Sequence, residues 1–250
     1  MSPPPWTPGA LSSEARPYAC RLWRVVEAQH RASTMRITDT LEEQAILEQL
    51  IEEAKPQVPP DCRHLHYLLY TPFRYAPYPH GSRFRRSRQR EGVFYASERV
   101  ATALAETAFY RLLFYLEAPA ARLPVRPTEH TAFRVAAATA RLIDLTSPPF
   151  ARAAALWHAP VDYRACQNLA DAARAGRIEA IRYGSVRDPQ HGANVALLSP
   201  QAFAATGPEA TETWRVFVRA DLVQAWREFP EPSRLELSRA DFANDPRIAA

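Results

Sequence analysis

The chain has 250 residues, 47% of them hydrophobic and 23% charged, with a formal charge of +4 and three cysteines. These totals exclude wholesale disorder, a collagen-like repeat and a disulfide scaffold, and they leave room for one full hydrophobic core. Apolar runs are all far shorter than the roughly 18 residues a membrane-spanning helix needs, and the first residues lack the basic and apolar regions of a signal peptide.

Cys20, Cys62 and Cys166 are odd in number and far apart, so the expectation is reduced thiols in a cytoplasmic protein. Neither a CxxC nor an HxxxH pair occurs, and no metal is expected. Lys55 is the single lysine, arginine supplying every other basic residue. A GC-rich coding bias explains that total, so only local clusters of arginine carry an argument.

Residues 1–18 are Pro-rich and without periodicity, and read as an extended arm. Leu22–Val26 reads as a first strand. Thr40-Leu41-Glu42-Glu43 is a capping box opening a helix near 40–54, with Pro56 beyond its end. His64–Tyr70 reads as a strand, followed by a long loop of prolines, aromatics and arginines from Pro72 to Arg90. Val93–Ala96 predicts a strand and Ser97 an N-cap for a helix reaching about Glu117. Strands are expected at Ala132–Ala136, Arg141–Leu145, Ile178–Tyr183, Asn194–Leu198 and Trp214–Val218, with helices near 150–157 and 163–175. The helical connections are too irregular for a doubly wound sheet, so the fold class is α+β, a mixed α/β domain. The expected division is the arm at 1–18, a catalytic domain at 19–225 and a C-terminal extension at 226–250.

Chemistry concentrates in two places. The first runs from Gly81-Ser82-Arg83-Phe84-Arg85 through Val93-Phe94-Tyr95-Ala96-Ser97 to Ala103-Leu104-Ala105-Glu106. Glu106 sits on a helix apolar nearly all round, so its carboxylate is either functional or paired structurally, for instance with Arg111. Arg83 and Arg85 flank Phe84 in a glycine turn, where a guanidinium fork suits phosphate. The second place is Ser185-Val186-Arg187-Asp188-Pro189 with Asn194 downstream. Ser185 lies outside any G-x-S-x-G pattern, so a hydroxyl that orients a ligand is the better functional reading than a nucleophile. Phe73, Tyr75, Tyr78 and Phe84 among the basic residues of the 73–90 loop leave a nucleic-acid-binding module as an alternative of a different class.

In this order the fragments, together with Arg24 on the first strand, resemble the RES domain family across residues 20–220. The resemblance implies a fold similar to the diphtheria-toxin-like ADP-ribosyltransferases. It also implies a toxin of a bacterial toxin–antitoxin pair, restrained by a small Xre-type antitoxin that alone would contact nucleic acid. The activity implied is cleavage of the nicotinamide–ribose bond of NAD, with NAD as substrate rather than cofactor and inorganic phosphate, water or a protein as acceptor. An ADP-ribosyltransferase acting on a host protein is the close alternative. By the same resemblance Arg83, Tyr95, Glu106 and Ser185 form the core site, while Phe84, Asn194 and an early arginine, Arg31 or Arg24, contribute to NAD binding. The residues between Arg24 and Gly81, including a whole helix, exceed the compact family pattern. A partner's acidic segment covering the Pro72–Arg90 loop is the expected form of restraint.

Overall fold

The computed structural model describes residues 6–28, 37–75, 79–118 and 120–249. Its elements in chain order are α1 (Pro8–Ser13), β1 (Arg16–Glu27), α2 (Leu41–Ala54), α3 (Tyr67–Arg74), β2 (Phe94–Ser97), α4 (Val100–Glu117), β3 (Thr128–Asp144), α5 (Ala154–Trp157), α6 (Arg164–Ala175), β4 (Ala180–Gly184), β5 (Ala193–Leu197), β6 (Ala210–Val218), β7 (Leu222–Arg227), β8 (Ser233–Ser238) and α7 (Pro246–Ala249). Short 3-10 turns occupy Pro60–Cys62, Phe150–Ala153, Pro200–Ala202 and Arg239–Phe242. This is the mixed α/β single domain that the alternation of strand and helix signals implies.

The eight strands form one sheet in the order β1-β2-β5-β4-β3-β6-β7-β8, and β1 pairs with β3 as well. That extra pairing closes β1, β2, β5, β4 and β3 into a ring, with β6 to β8 as a flap continuing from β3. Every pairing is antiparallel except β3 with β4. Long β3 serves both parts: Thr128–Arg134 pair with β6 and Leu142–Asp144 with β4, while β1 runs along its other edge.

Three apolar clusters fill the space around the sheet. One joins α1, α6 and β4 through Leu11, Ile143, Leu169 and Ile181. Another seats α4 against β6, β7 and β8 through Phe109, Leu112, Trp214 and Val223. The third packs α3 on the ring through Leu69, Phe94 and Phe133. Helix α4 buries Ala103, Leu104, Ala105, Ala108, Phe109, Leu112 and Leu113, as its nearly all-round apolar sequence requires.

Several expectations are corrected. The segment 64–70 is not a strand; α3 begins at Tyr67, with His66 Nδ1 accepting from the Leu68 amide. Leu65 and Leu69, four residues apart, are both buried, a helical rather than an alternating period. Ser97 closes β2 instead of capping α4, whose N-cap is Arg99, because the Ser97 hydroxyl is taken by Asn194 across the strand pair. The two strands expected within 132–145 are one strand, β3. The arm folds from Pro8 onward and buries Leu11 completely. The boundary at 225 falls inside β7, and residues 226–250 complete the flap with β8. The capping box of α2 is present, Thr40 Oγ1 accepting from the Glu43 amide at 3.1 Å. None of its residues is buried, however, and Leu41, Ile46 and Leu50 lie exposed.

Candidate active site

A cleft of about 680 Å³ opens between the strand ring, α4 and the Gly81–Arg85 turn. Arg24, Arg83, Tyr95, Glu106 and Asn194 all line it, so residues spread over 170 positions of sequence meet in one place. Arg31 lies outside the described residues.

Glu106 faces the cleft from the second turn of α4. Its Oε1 accepts from Ser185 Oγ at 2.7 Å and from Asn194 Nδ2 at 2.6 Å. Its Oε2 has no hydrogen-bond partner among the described residues. Sequence left open a structural pair with Arg111; that guanidinium instead pairs with Glu27. The donors are themselves fixed. Asn194 sits opposite Ser97 in the β2–β5 register, and Ser97 Oγ donates to Asn194 Oδ1 at 2.6 Å, which turns the amide nitrogen toward Glu106. Ser185 Oγ accepts from the amides of Arg187 at 3.1 Å and Asp188 at 3.0 Å. With both lone pairs taken, its one proton is directed at the carboxylate.

Helix and turn are joined a second time. Thr102, one helical turn before Glu106 and on the same face, donates to Asp188 Oδ2 at 2.7 Å, and the same carboxylate accepts from the Gly192 amide at 3.1 Å. Gly192 has no room for a side chain, since a Cβ there would run into Thr102 Oγ1 and Asp188 Oδ2.

The opposite wall is the Gly81–Arg85 turn, closed by paired main-chain bonds between Ser82 and Arg85. Gly81 has φ +66°, and a Cβ would meet Ser87 N at 2.7 Å, so glycine is required. The Tyr95 hydroxyl braces this turn, accepting from the Phe84 amide at 3.0 Å and bonding Ser82 Oγ at 2.8 Å. Burial pushes its phenol above the ordinary range.

The arginines of the wall are held in an unusual way. Arg83 Nη1 donates to the carbonyls of Trp157 at 2.6 Å and Ala159 at 3.1 Å, and its guanidinium lies 4.7 Å from the Tyr163 ring centre. Arg24 Nη1 donates to the Tyr95 carbonyl at 2.9 Å, and Arg85 to the carbonyls of Gln89 and Arg90. Among the described residues no carboxylate forms an ion pair with any of the three. Burial alone lowers Arg24 to about 10 and brings Arg85 down from its ordinary value. Arg24, Arg83 and Arg85 thus line the cleft without an ion pair among the described residues, although Glu91 acts on Arg85, and Glu106 beside them keeps one oxygen free of hydrogen bonds there.

Two expected ligand contacts are corrected. Phe84 is fully buried and packs edge-on against Tyr183 at 4.9 Å, so its ring belongs to the core. Ser185 is buried behind Glu106 and does not line the cleft; it acts on the carboxylate. Parts of the basic loop are engaged within the fold, while Tyr75 remains exposed. Phe73 packs against Phe203, Arg86 is engaged by Asp171 and Asn168, and Tyr78 lies outside the described residues.

Sequence reading missed Tyr110, Tyr163 and Tyr183, which line the cleft with Arg187, and it gave Arg187 and Asp188 no role beyond their place in the Ser185–Pro189 motif. The i, i+4 spacing of Thr102 and Glu106 was a usable signal for a helix face sewn to a polar turn. The tyrosines carried none.

Within this mixed α/β domain, then, an α4 carboxylate held by a serine and an asparagine shares a cleft with arginines from β1 and a glycine turn. A family model described as RES domain matches residues 58–219, well over half of the chain, and the protein belongs to that family. The match begins after Arg24 and α2 and ends before β7. Among solved structures, one similar in shape is described as the M. tuberculosis MbcT-MbcA toxin-antitoxin complex, at 12% identity and a TM-score of 0.46, covering 80% of this chain and 90% of that one. No curated protein matches the sequence.

Proposed function

We propose that this RES domain protein is the toxin of a toxin–antitoxin pair and cleaves the nicotinamide–ribose bond of NAD. The observation that carries the reading is the company of one half-satisfied carboxylate, Glu106, with three arginines that no carboxylate among the described residues binds in an ion pair. NAD brings two phosphate charges, two flat rings and a ribose whose bond to nicotinamide breaks to leave positive charge. The cleft offers guanidinium forks for the pyrophosphate and tyrosine faces for the rings.

In the proposed step the C1′–N bond breaks and its electron pair goes to the nicotinamide nitrogen, which loses its positive charge and departs neutral. No proton is needed at the leaving group. The oxocarbenium character left on the ribose is stabilised by the Glu106 carboxylate, whose Oε2 is free to bond the ribose hydroxyls. A nucleophile then adds at C1′ and gives up its proton to solvent. Water, inorganic phosphate and a protein side chain are the acceptor classes, the last making the protein an ADP-ribosyltransferase. A cytoplasmic enzyme of this kind needs restraint, and the family resemblance supports a small Xre-type antitoxin as the partner.

The test is incubation of the purified chain with NAD, with and without phosphate, and resolution of the products by mass. Released nicotinamide supports the reading, and the partner product identifies the acceptor. NAD left intact under both conditions overturns it.

A further inference from the structure

The residues after β8 pack on the helix that carries Glu106. Phe242 and Ile248 are buried in the α4 cluster, and the Phe242 ring meets Phe109 edge-on at 5.6 Å. Between them stands Asp245, only 1% exposed. Its Oδ2 lies 2.9 Å from Arg187 Nη2 and 2.8 Å from Arg247 Nη2. Arg187 is equally buried, donates to the Pro160 carbonyl at 2.6 Å, and stacks 4.0 Å over the Phe109 ring. A guanidinium so enclosed requires a counter-charge. Among the described residues, the segment matching the family supplies none. Asp245, beyond residue 219 where that match ends, supplies it.

Arg187 is also a member of the turn behind Glu106. Its own amide and that of Asp188 occupy the acceptor positions of Ser185 Oγ, which leaves the Ser185 proton for Glu106 Oε1. The connection is continuous: Asp245 carboxylate, Arg187 side chain, Arg187 amide, Ser185 hydroxyl, Glu106 carboxylate. One link is a buried ion pair and two are hydrogen bonds, and the Arg187 side chain and amide are joined through the residue itself; bonds in such a network polarise and stiffen one another.

We propose that Asp245 is a positioning residue for Glu106, acting through Arg187 and the 185–188 turn, so that the C-terminal segment is part of the working site. This rests on the assignment of Glu106 as the carboxylate that acts on NAD. A purely structural Asp245 would lower stability everywhere alike; a positioning Asp245 loosens the turn first and costs turnover rather than affinity.

The experiment uses the full chain and Asp245→Asn, with amide hydrogen exchange by NMR beside NAD kinetics. The expected result is loss of protection at the Arg187 and Asp188 amides while Val195 in β5 keeps its own, with kcat down about 10- to 100-fold, the scale of a small misplacement of a reacting group, and KM unchanged. Wild-type protection at 187 and 188, or a uniform loss at all amides, overturns the proposal. So does local loosening with unchanged kcat. Should the unaltered chain release no nicotinamide, the functional reading fails while amide exchange still decides the coupling. If Asp245→Asn compromises folding, Arg187→Met/Asp245→Leu removes both buried charges together and carries the same test. Normal Asp188 protection in that variant overturns the proposal equally.

Discussion

Replacing Glu106 by glutamine removes one charge and almost nothing else. Ser185 Oγ and Asn194 Nδ2 are both committed donors, the first because turn amides fill its acceptor positions, the second because Ser97 holds the Asn194 oxygen. A glutamine must therefore place its carbonyl oxygen where Oε1 stands and turn its amide nitrogen to the cleft. The two hydrogen bonds survive at 2.7 and 2.6 Å geometry, and melting temperature should hold. What is lost is attraction between the carboxylate and the ribosyl cation. Unit charges about 4 Å apart at an effective dielectric constant of about 20 interact by about 4 kcal/mol, and that much barrier corresponds to about a thousandfold in rate. The assay is nicotinamide release under saturating NAD, with binding measured by calorimetry. A fall in kcat of two to three orders of magnitude, on the order of removing one oxyanion-type contact, with Kd unchanged, is expected. A kcat within a few-fold of the unaltered protein refutes the reasoning, because no other acid lies in the same position.

Three further outcomes are expected. Ser185→Ala strands two buried amides and frees one Glu106 bond, so stability should fall by about 2–4 kcal/mol in denaturant titration, with kcat falling as well; unchanged stability would remove Ser185 from the turn's support. Arg83→Lys cannot reach both the Trp157 and Ala159 carbonyls, so about 1.5–3 kcal/mol of stability should be lost and KM for NAD should rise; an unchanged KM would shift the phosphate role to Arg24. Acid should destabilise the fold: the Arg182 bond holds Glu98 below the usual carboxylate range, and although burial pushes Asp144 and Asp245 up, bonds from Thr146 and Arg247 outweigh it and hold both down. Their contribution is complete above about pH 4, the unfolded value, and is lost as pH falls through the lower folded values; denaturant midpoints that stay flat from pH 6 to pH 3 would contradict this.

The sequence was most readable where one local rule sufficed. The capping box of α2 and the nearly all-apolar run of α4 each follow from neighbouring residues, and each is found. His64–Tyr70 misled because a short segment with Leu65 and Tyr67–Tyr70 as its apolar residues fits either period, and only the burial of Leu65 with Leu69 separates them. In the site, Glu106 stood out as an acid among apolar neighbours, and Arg83 and Tyr95 as chemistry beside a glycine turn. Their partners were hidden for a physical reason. Ser97 and Asn194 are joined by strand register, and Arg187 and Asp245 by a tertiary ion pair across 58 positions of chain. No periodicity encodes either contact. Phe84 shows the converse error: a ring between two arginines looks like a stacking surface, yet in a tight turn alternate side chains point apart, and the apolar one turns inward.

The manner in which the arginines are anchored decides what the cleft can hold. Arg141 and Arg174 are likewise held by carbonyl oxygens, but several guanidinium groups elsewhere are neutralised: Arg182 lies between Glu98 and Asp144, Arg16 also meets Asp144, and Arg227 meets Glu212. Those charges are spent on the fold. Arg24, Arg83 and Arg85 are gripped by carbonyl oxygens instead, which fix the plane and direction of each fork without cancelling its charge. Burial lowers Arg24 to about 10, and an anion beside it would relieve that cost. Binding strength and site geometry thus come from the same bonds. Glu106 would oppose an anion placed beside it; it is held by the Ser185 turn and β5, whereas Arg83 and Arg85 belong to the Gly81–Arg85 turn. A ligand negative at one end and developing positive charge at the other satisfies both walls at once, whereas a simple polyanion satisfies only one. On the proposed reading, NAD would set its pyrophosphate toward the arginines and its nicotinamide ribose toward Glu106.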